Sequence, residues 1–137
     1  MGREVFDSFA GFDDFLVYLG VSLAYLAVFV TIYIRITPYA EMQLIREGNM
    51  AASFSLSGAI LGFIVPLCSA IQHSVSLIDM AIWGLIAMLV QIVAFIVVKI
   101  CVPHITRDIP ENKGAQGFFL GSLSLGVGLL NAACMSF

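Results

Sequence analysis

The sequence predicts an all-α membrane protein: four transmembrane helices in two tandem hairpins of the same orientation, with both termini outside the cytoplasm. Three observations predict it. The 137 residues are 61% hydrophobic and only 11% charged, with a mean hydropathy of +1.03, far from the mix of a soluble domain. The apolar residues fall into four runs, 15–36, 51–72, 80–102 and 117–135. Each is close to the ~20 residues that cross a ~30 Å hydrocarbon core as a helix, and none shows the short alternating segments of a membrane β-barrel. Finally, sliding the chain by 64 residues brings Arg35 onto Lys99, Glu47 onto Glu111, Phe54 onto Phe118 and Gly62 onto Gly126, with Pro38 and Pro103 matching after a one-residue slip. That reads as a duplicated two-helix unit, about 12–74 and about 76–137, within one domain of 1–137. With an even number of spans per unit, the copies share one orientation.

The first span, from Phe15, is preceded by Glu4, Asp7, Asp13 and Asp14 against a single Arg3, the opposite of a signal peptide's basic start, so the span is expected to stay in the mature chain. It ends near Arg35. The following connection carries Arg46, the third carries Arg107 and Lys113 beyond Lys99, and the middle connection and C-terminus carry no Lys or Arg. The positive-inside rule then places the basic loops in the cytoplasm.

Within the first connection, Pro38 suits a first helical position and Gly48 a C-terminal stop, which marks a short helix. Tyr39, Met42 and Ile45 share one side of it, opposite Glu41, as expected of an interfacial helix. Asn49 caps the second span. Ser76 and Asp79 have capping-box spacing at the start of the third.

The second span is short of leucine and valine and crowded with small residues. On a 100° wheel Ser55, Gly58, Gly62, Pro66, Ser69 and His73 form one strip, and Ser53, Ser57 and Ile60 another. The fourth span repeats this, with Ala115, Ser122, Gly126 and Ala133 on one strip and Gly117, Gly121, Ser124, Gly128 and Asn131 on the other. Lipid supplies no hydrophobic drive between helices, so association rests on close backbone approach and interhelical hydrogen bonds. Gly58, Gly62, Gly117, Gly121, Gly126 and Gly128 are therefore the candidate packing and oligomer positions. Gly20, Ala24, Ala27 and Thr31 on the first span, and Gly84, Ala87, Gln91 and Ala94 on the third, are the matching strips. Pro66 is expected to kink the second span.

The run ITPYAEMQLIREGNMAASFSLSGAILGFIVPLCSA and the later GAQGFFLGSLSLGVGLLNAACM resemble the YjfL-type family of bacterial inner-membrane proteins, a family of unknown function, over nearly the whole chain. The resemblance implies a small multi-span protein of the bacterial inner membrane built from paired helices. It brings no catalytic residues with it.

Gln91 lies mid-span, where an unsatisfied amide is costly, and needs an interhelical partner. Asn131 and His73 belong to the outer half, where they could form a small polar vestibule or serve in interface capping and packing. No phosphate-binding loop, zinc cluster or activated nucleophile is present in the sequence, and with no charged residue deep in a span a proton relay has no components. No enzyme activity, cofactor, metal or nucleic-acid partner is expected. Cys68 and Cys134 share the outer side, but isolated cysteines in apolar helices act mainly as small hydrophobic residues.

Two functions remain. One is a homo-oligomeric membrane scaffold, or an assembly that docks cytoplasmic partners through loops 37–50 and 103–114. The other is an oligomeric channel or small transporter lined by Ser53, Ser57, Gln91, Ser124, Asn131 and His73.

Overall fold

The computed structural model describes residues 2–135, so the last two residues of the second predicted unit lie outside the described residues. Seven helices run in chain order: α1 (Gly2–Phe9), α2 (Phe12–Ile36), α3 (Glu41–Arg46), α4 (Met50–His73), α5 (Leu77–Cys101), α6 (Ile105–Asp108) and α7 (Gly114–Cys134), with no strand among the described residues. Four are long and apolar enough to cross a membrane, the first of them including α1.

α4 is the central helix. In its most apolar stretch 56% of residues are buried, against 6% for the stretch containing α2 and 28% each for α5 and α7. Its closest partner is α7, which runs alongside in the same direction: Gly117 meets Ala51, Gly121 meets Phe54, and Gly128 meets Gly62. At Gly58, Gly62, Gly117, Gly121 and Gly128, an added Cβ would fall within 3.0 Å of backbone atoms of the facing helix. These glycines let two backbones touch, the contact that small residues permit where lipid gives no other drive.

Pro66 sits inside α4, fully buried. The carbonyl it frees, that of Gly62, is directed at Gly128, where only a residue without a Cβ leaves room. The α4–α7 seam thereby accommodates the proline.

α5 docks through the expected strip: Gly84, Ala87 and Gln91 are buried, with Met80, Met88 and Phe95 beside them. α2 does not. Gly20, Ala24, Ala27 and Thr31 are all exposed, and the helix is held by the opposite side, where Phe29 stacks on Phe63 (4.6 Å between centroids, 14°) and Tyr33 meets Phe95 edge-on (5.0 Å). The Tyr25 hydroxyl donates to the Ala81 carbonyl. Large rings bury more area than a small-residue strip and add ring–ring attraction, so they set the docking face.

The caps form as their chemistry requires. Asn49 Oδ1 accepts from the Ala52 N–H at 2.9 Å. Ser76 Oγ accepts from the Asp79 N–H at 3.1 Å, while Asp79 reaches back to the Val75 N–H, also at 3.1 Å. Two turns 64 residues apart have one hydrogen-bond pattern. The Gly48 N–H bonds the Ile45 carbonyl and the Asn49 N–H the Leu44 carbonyl; Asn112 and Lys113 repeat this with Ile109 and Asp108. The positive φ this stop demands falls on Gly48 (84°) and Asn112 (58°), residues suited to it. Asn112 Oδ1 in turn accepts from the Met50 N–H (2.9 Å), and Asn49 Nδ2 donates to the Ile109 carbonyl (2.9 Å), tying the turns together.

The short helix after α2 departs from expectation. It begins at Glu41, not Pro38, because residues 38–40 turn the chain first. Met42, expected on the apolar side, is exposed, and Glu41, expected on the polar side, is fully buried.

Candidate functional site

Of the residues expected to line a polar path, the structure brings only two together. Gln91 Nε2 donates to the Ser124 carbonyl at 2.8 Å where α4, α5 and α7 meet, and both residues are buried. The amide is wedged against Gly62, where an added Cβ would collide with it. Gln91 Oε1 has no hydrogen-bond partner. Ser53 is half-buried and Ser57 exposed, both away from this junction on α4. Asn131 is half-buried on α7, its amide nitrogen enclosed and without a partner.

His73 lies at the far end of α4. Its Nδ1 is 2.9 Å from the Ser69 carbonyl, which only accepts, so Nδ1 carries the proton. The Ser69 hydroxyl donates to the Ala132 carbonyl at 3.2 Å. These residues border a cleft of about 210 Å³ with Asp79, Trp83 and Met135. Cys68, Cys101 and Cys134 are exposed free thiols.

The most unusual chemistry is at the other end. Glu41, the first residue of α3, is 0% exposed, and neither carboxylate oxygen has a hydrogen-bond partner. The Tyr33 hydroxyl, also buried, lacks one too. Thr37 Oγ1, the hydroxyl that acts on the carboxylate, donates to the Ile34 carbonyl at 2.9 Å. Burial pushes the Glu41 carboxyl up to about 8, with Thr37 opposing weakly. Burial also raises the Tyr39 hydroxyl, the Glu41 charge adds to this, and Ser55 partly offsets it. The turn around α6 treats its acid differently. Asp108 is buried as well, but Lys113 reaches it at 3.2 Å, and this hydrogen-bonded pair holds the lysine more firmly charged.

The expectation concerned charged residues deep in the spans, and this buried acid lies outside them. Glu41 lies just outside an apolar run, so a search of spans passes over it. One signal was available: Leu44 and Ile45 follow at offsets three and four, which puts Glu41 on their side of a helix.

Four apolar helices, packed through glycine backbones and carrying one buried unpaired acid at an aqueous end, define a multi-span helical membrane protein. The chain belongs to the family described as Domain of Unknown Function (DUF350), whose pattern matches residues 7–135. It is 38% identical over 133 residues to the UPF0719 inner membrane protein YjfL of Escherichia coli (strain K12), covering 97% of this chain and 98% of that protein. It is 27% identical over 122 residues to the UPF0719 transmembrane protein YshE of Bacillus subtilis (strain 168), covering 85% and 88%. Neither relative's name attributes an enzyme activity to it. No solved structure matches the chain. The protein is a multi-pass protein of the bacterial inner membrane.

Proposed function

We propose that this protein is a non-catalytic inner-membrane scaffold that assembles with copies of itself through the outer face of α7. One observation carries the reading. α7 has two small strips, and α4 occupies only one of them. Gly117, Gly121, Ser124 and Gly128 are buried, whereas Ala115, Ser122 and Ala133 are exposed and Gly126 has nothing within 4 Å of an added Cβ. Around Gly126 a groove of about 540 Å³ opens between Phe119, Leu123 and Leu130. A groove floored by glycine and serine gains close packing from a second helix.

This reading revises the expected oligomer positions. Gly58, Gly62, Gly117, Gly121 and Gly128 are spent inside the protomer, which leaves Gly126. The channel alternative needs Gln91 and Ser124 to meet water, yet they are 3% and 6% exposed. A path would therefore have to run between copies, past Ser57 and Ser122. Gly126→Leu should leave the protomer folded and shift the assembly in nanodiscs to smaller mass. An unchanged mass, or a strictly monomeric wild type, ends the proposal.

The proposed topology places α3 and α6 in the cytoplasm and both termini outside, supported by Arg35, Arg46, Lys99, Arg107 and Lys113 on one side. The segments around α3 and α6 are then the proposed surfaces for cytoplasmic partners. With the native cysteines removed, a cysteine at Phe6 should react with an impermeant thiol reagent added from outside, and one at Arg107 should not. The reverse pattern inverts the orientation.

A further inference from the structure

A carboxylate buried without a hydrogen bond or counter-charge is unstable as an anion, since desolvation costs several kcal/mol. Glu41 meets that description from every side. Thr37, just past the end of α2, acts on it, and Tyr33 of α2 and Tyr39 of the intervening turn lie within electrostatic reach of it. α3 packs on α4, and no residue of α4 between Met50 and Leu67 ionises. On α3 itself Arg46 is exposed, as is Arg35 at the end of α2. Among the described residues the ion pairs are those of Lys113 with Asp108 and Glu111. No protein cation is paired with Glu41.

The turns around α3 and α6 differ in one respect. Both turns have the same backbone hydrogen bonds, and both bury an acid, but only Asp108 is given a lysine. Glutamine would fill the same space as Glu41 without the cost of a buried charge. What a carboxyl offers beyond glutamine is a proton that leaves and returns.

We infer that Glu41 is a proton-binding site at the α3 end of the bundle, neutral while α3 is docked and ionised when α3 moves away. α3 suits this, being only six residues long, with Met42, Gln43, Arg46 and Glu47 exposed on its outer side and Pro38 and Ala40 exposed in the turn before it. Swinging it outward brings the carboxyl to water. The Glu41 O–H bond then breaks, the proton passes to water, and the carboxylate stays hydrated until α3 docks again. The site stands independently of the oligomer proposed above.

Infrared difference spectroscopy on the full chain in nanodiscs tests this. At neutral pH the wild type should show the carbonyl stretch of a protonated carboxylic acid that Glu41→Gln lacks, and the band should fade reversibly as pH rises past about 8. Heavy-carbon labelling of glutamate carboxyls should shift the band in the wild type, which keeps the test readable even if the variant does not fold. Exchanging sodium for potassium, or removing both, should leave the band unchanged. The inference is overturned by a wild type without the band, by a band that survives in folded Glu41→Gln, or by one that disappears when either metal cation is added.

Discussion

Gly128→Leu and Gly62→Leu are each expected to abolish the folded protomer rather than weaken an assembly. At Gly128 the side chain would run into the Gly62 carbonyl that Pro66 has already deprived of its helical hydrogen bond. At Gly62 it would strike the Ser124 backbone and the Gln91 amide together. Overpacking a core usually costs about 1–3 kcal/mol because side chains yield. Here the obstruction is mostly backbone, so α4 and α7 must separate along their length, and the cost should exceed that range. Alanine at either position should be damaging too, since the Cβ alone falls within 3.0 Å of the facing helix. Thermal melting in mild detergent, beside Leu16→Ile at an exposed position of α2 as the control, measures this. Gly128→Leu melting together with wild type would mean that the two helices do not pack as described.

Stability should also fall as pH rises from the acid side of neutrality, and Glu41→Gln should remove much of that fall. The carboxyl's ordinary value is 4.5, and in the folded protein it is pushed up to about 8. Below the lower value both folded and unfolded chains hold the proton, and the contribution of the site is complete. Between the two values the unfolded chain releases its proton while the folded chain keeps it, so each step upward favours unfolding. Above about 8 both forms are ionised and that contribution is gone. Each tenfold difference in proton affinity is worth about 1.4 kcal/mol, which makes the loss of the order of a few kcal/mol. Glu41→Gln should therefore be the more stable protein in alkaline solution. Parallel melting curves for the two proteins across this range would show that Glu41 is not buried as a carboxyl.

Both predictions rest on particular residues whose roles the sequence disclosed to different degrees. The glycines were legible as contacts because a small residue every fourth position has one use in lipid. Their partner was not, and they were assigned as much to neighbouring copies as to the protomer. Gln91 was legible as a residue that needs a partner, and the Ser124 carbonyl is that partner. Glu41 was passed over because burial of a residue in a connecting segment depends on where the segment folds back.

The sequence by itself determined what depends on neighbours along the chain. Apolar run length set the four spans. Asn49, Ser76 and Asp79 set helix starts, and Gly48 and Asn112 set stops, because each acts on backbone groups within a few residues. Only the tertiary structure decided which strip of each helix is covered. A helical wheel gives the angle between strips but not the angle at which a neighbour arrives. On α2 the aromatic side, Phe29 and Tyr33, took the contact and left the glycine strip uncovered. On α7 one small strip met α4 and the other stayed open. On α3 the docking against α4 turned Glu41 inward, where removal from water makes its proton hard to lose.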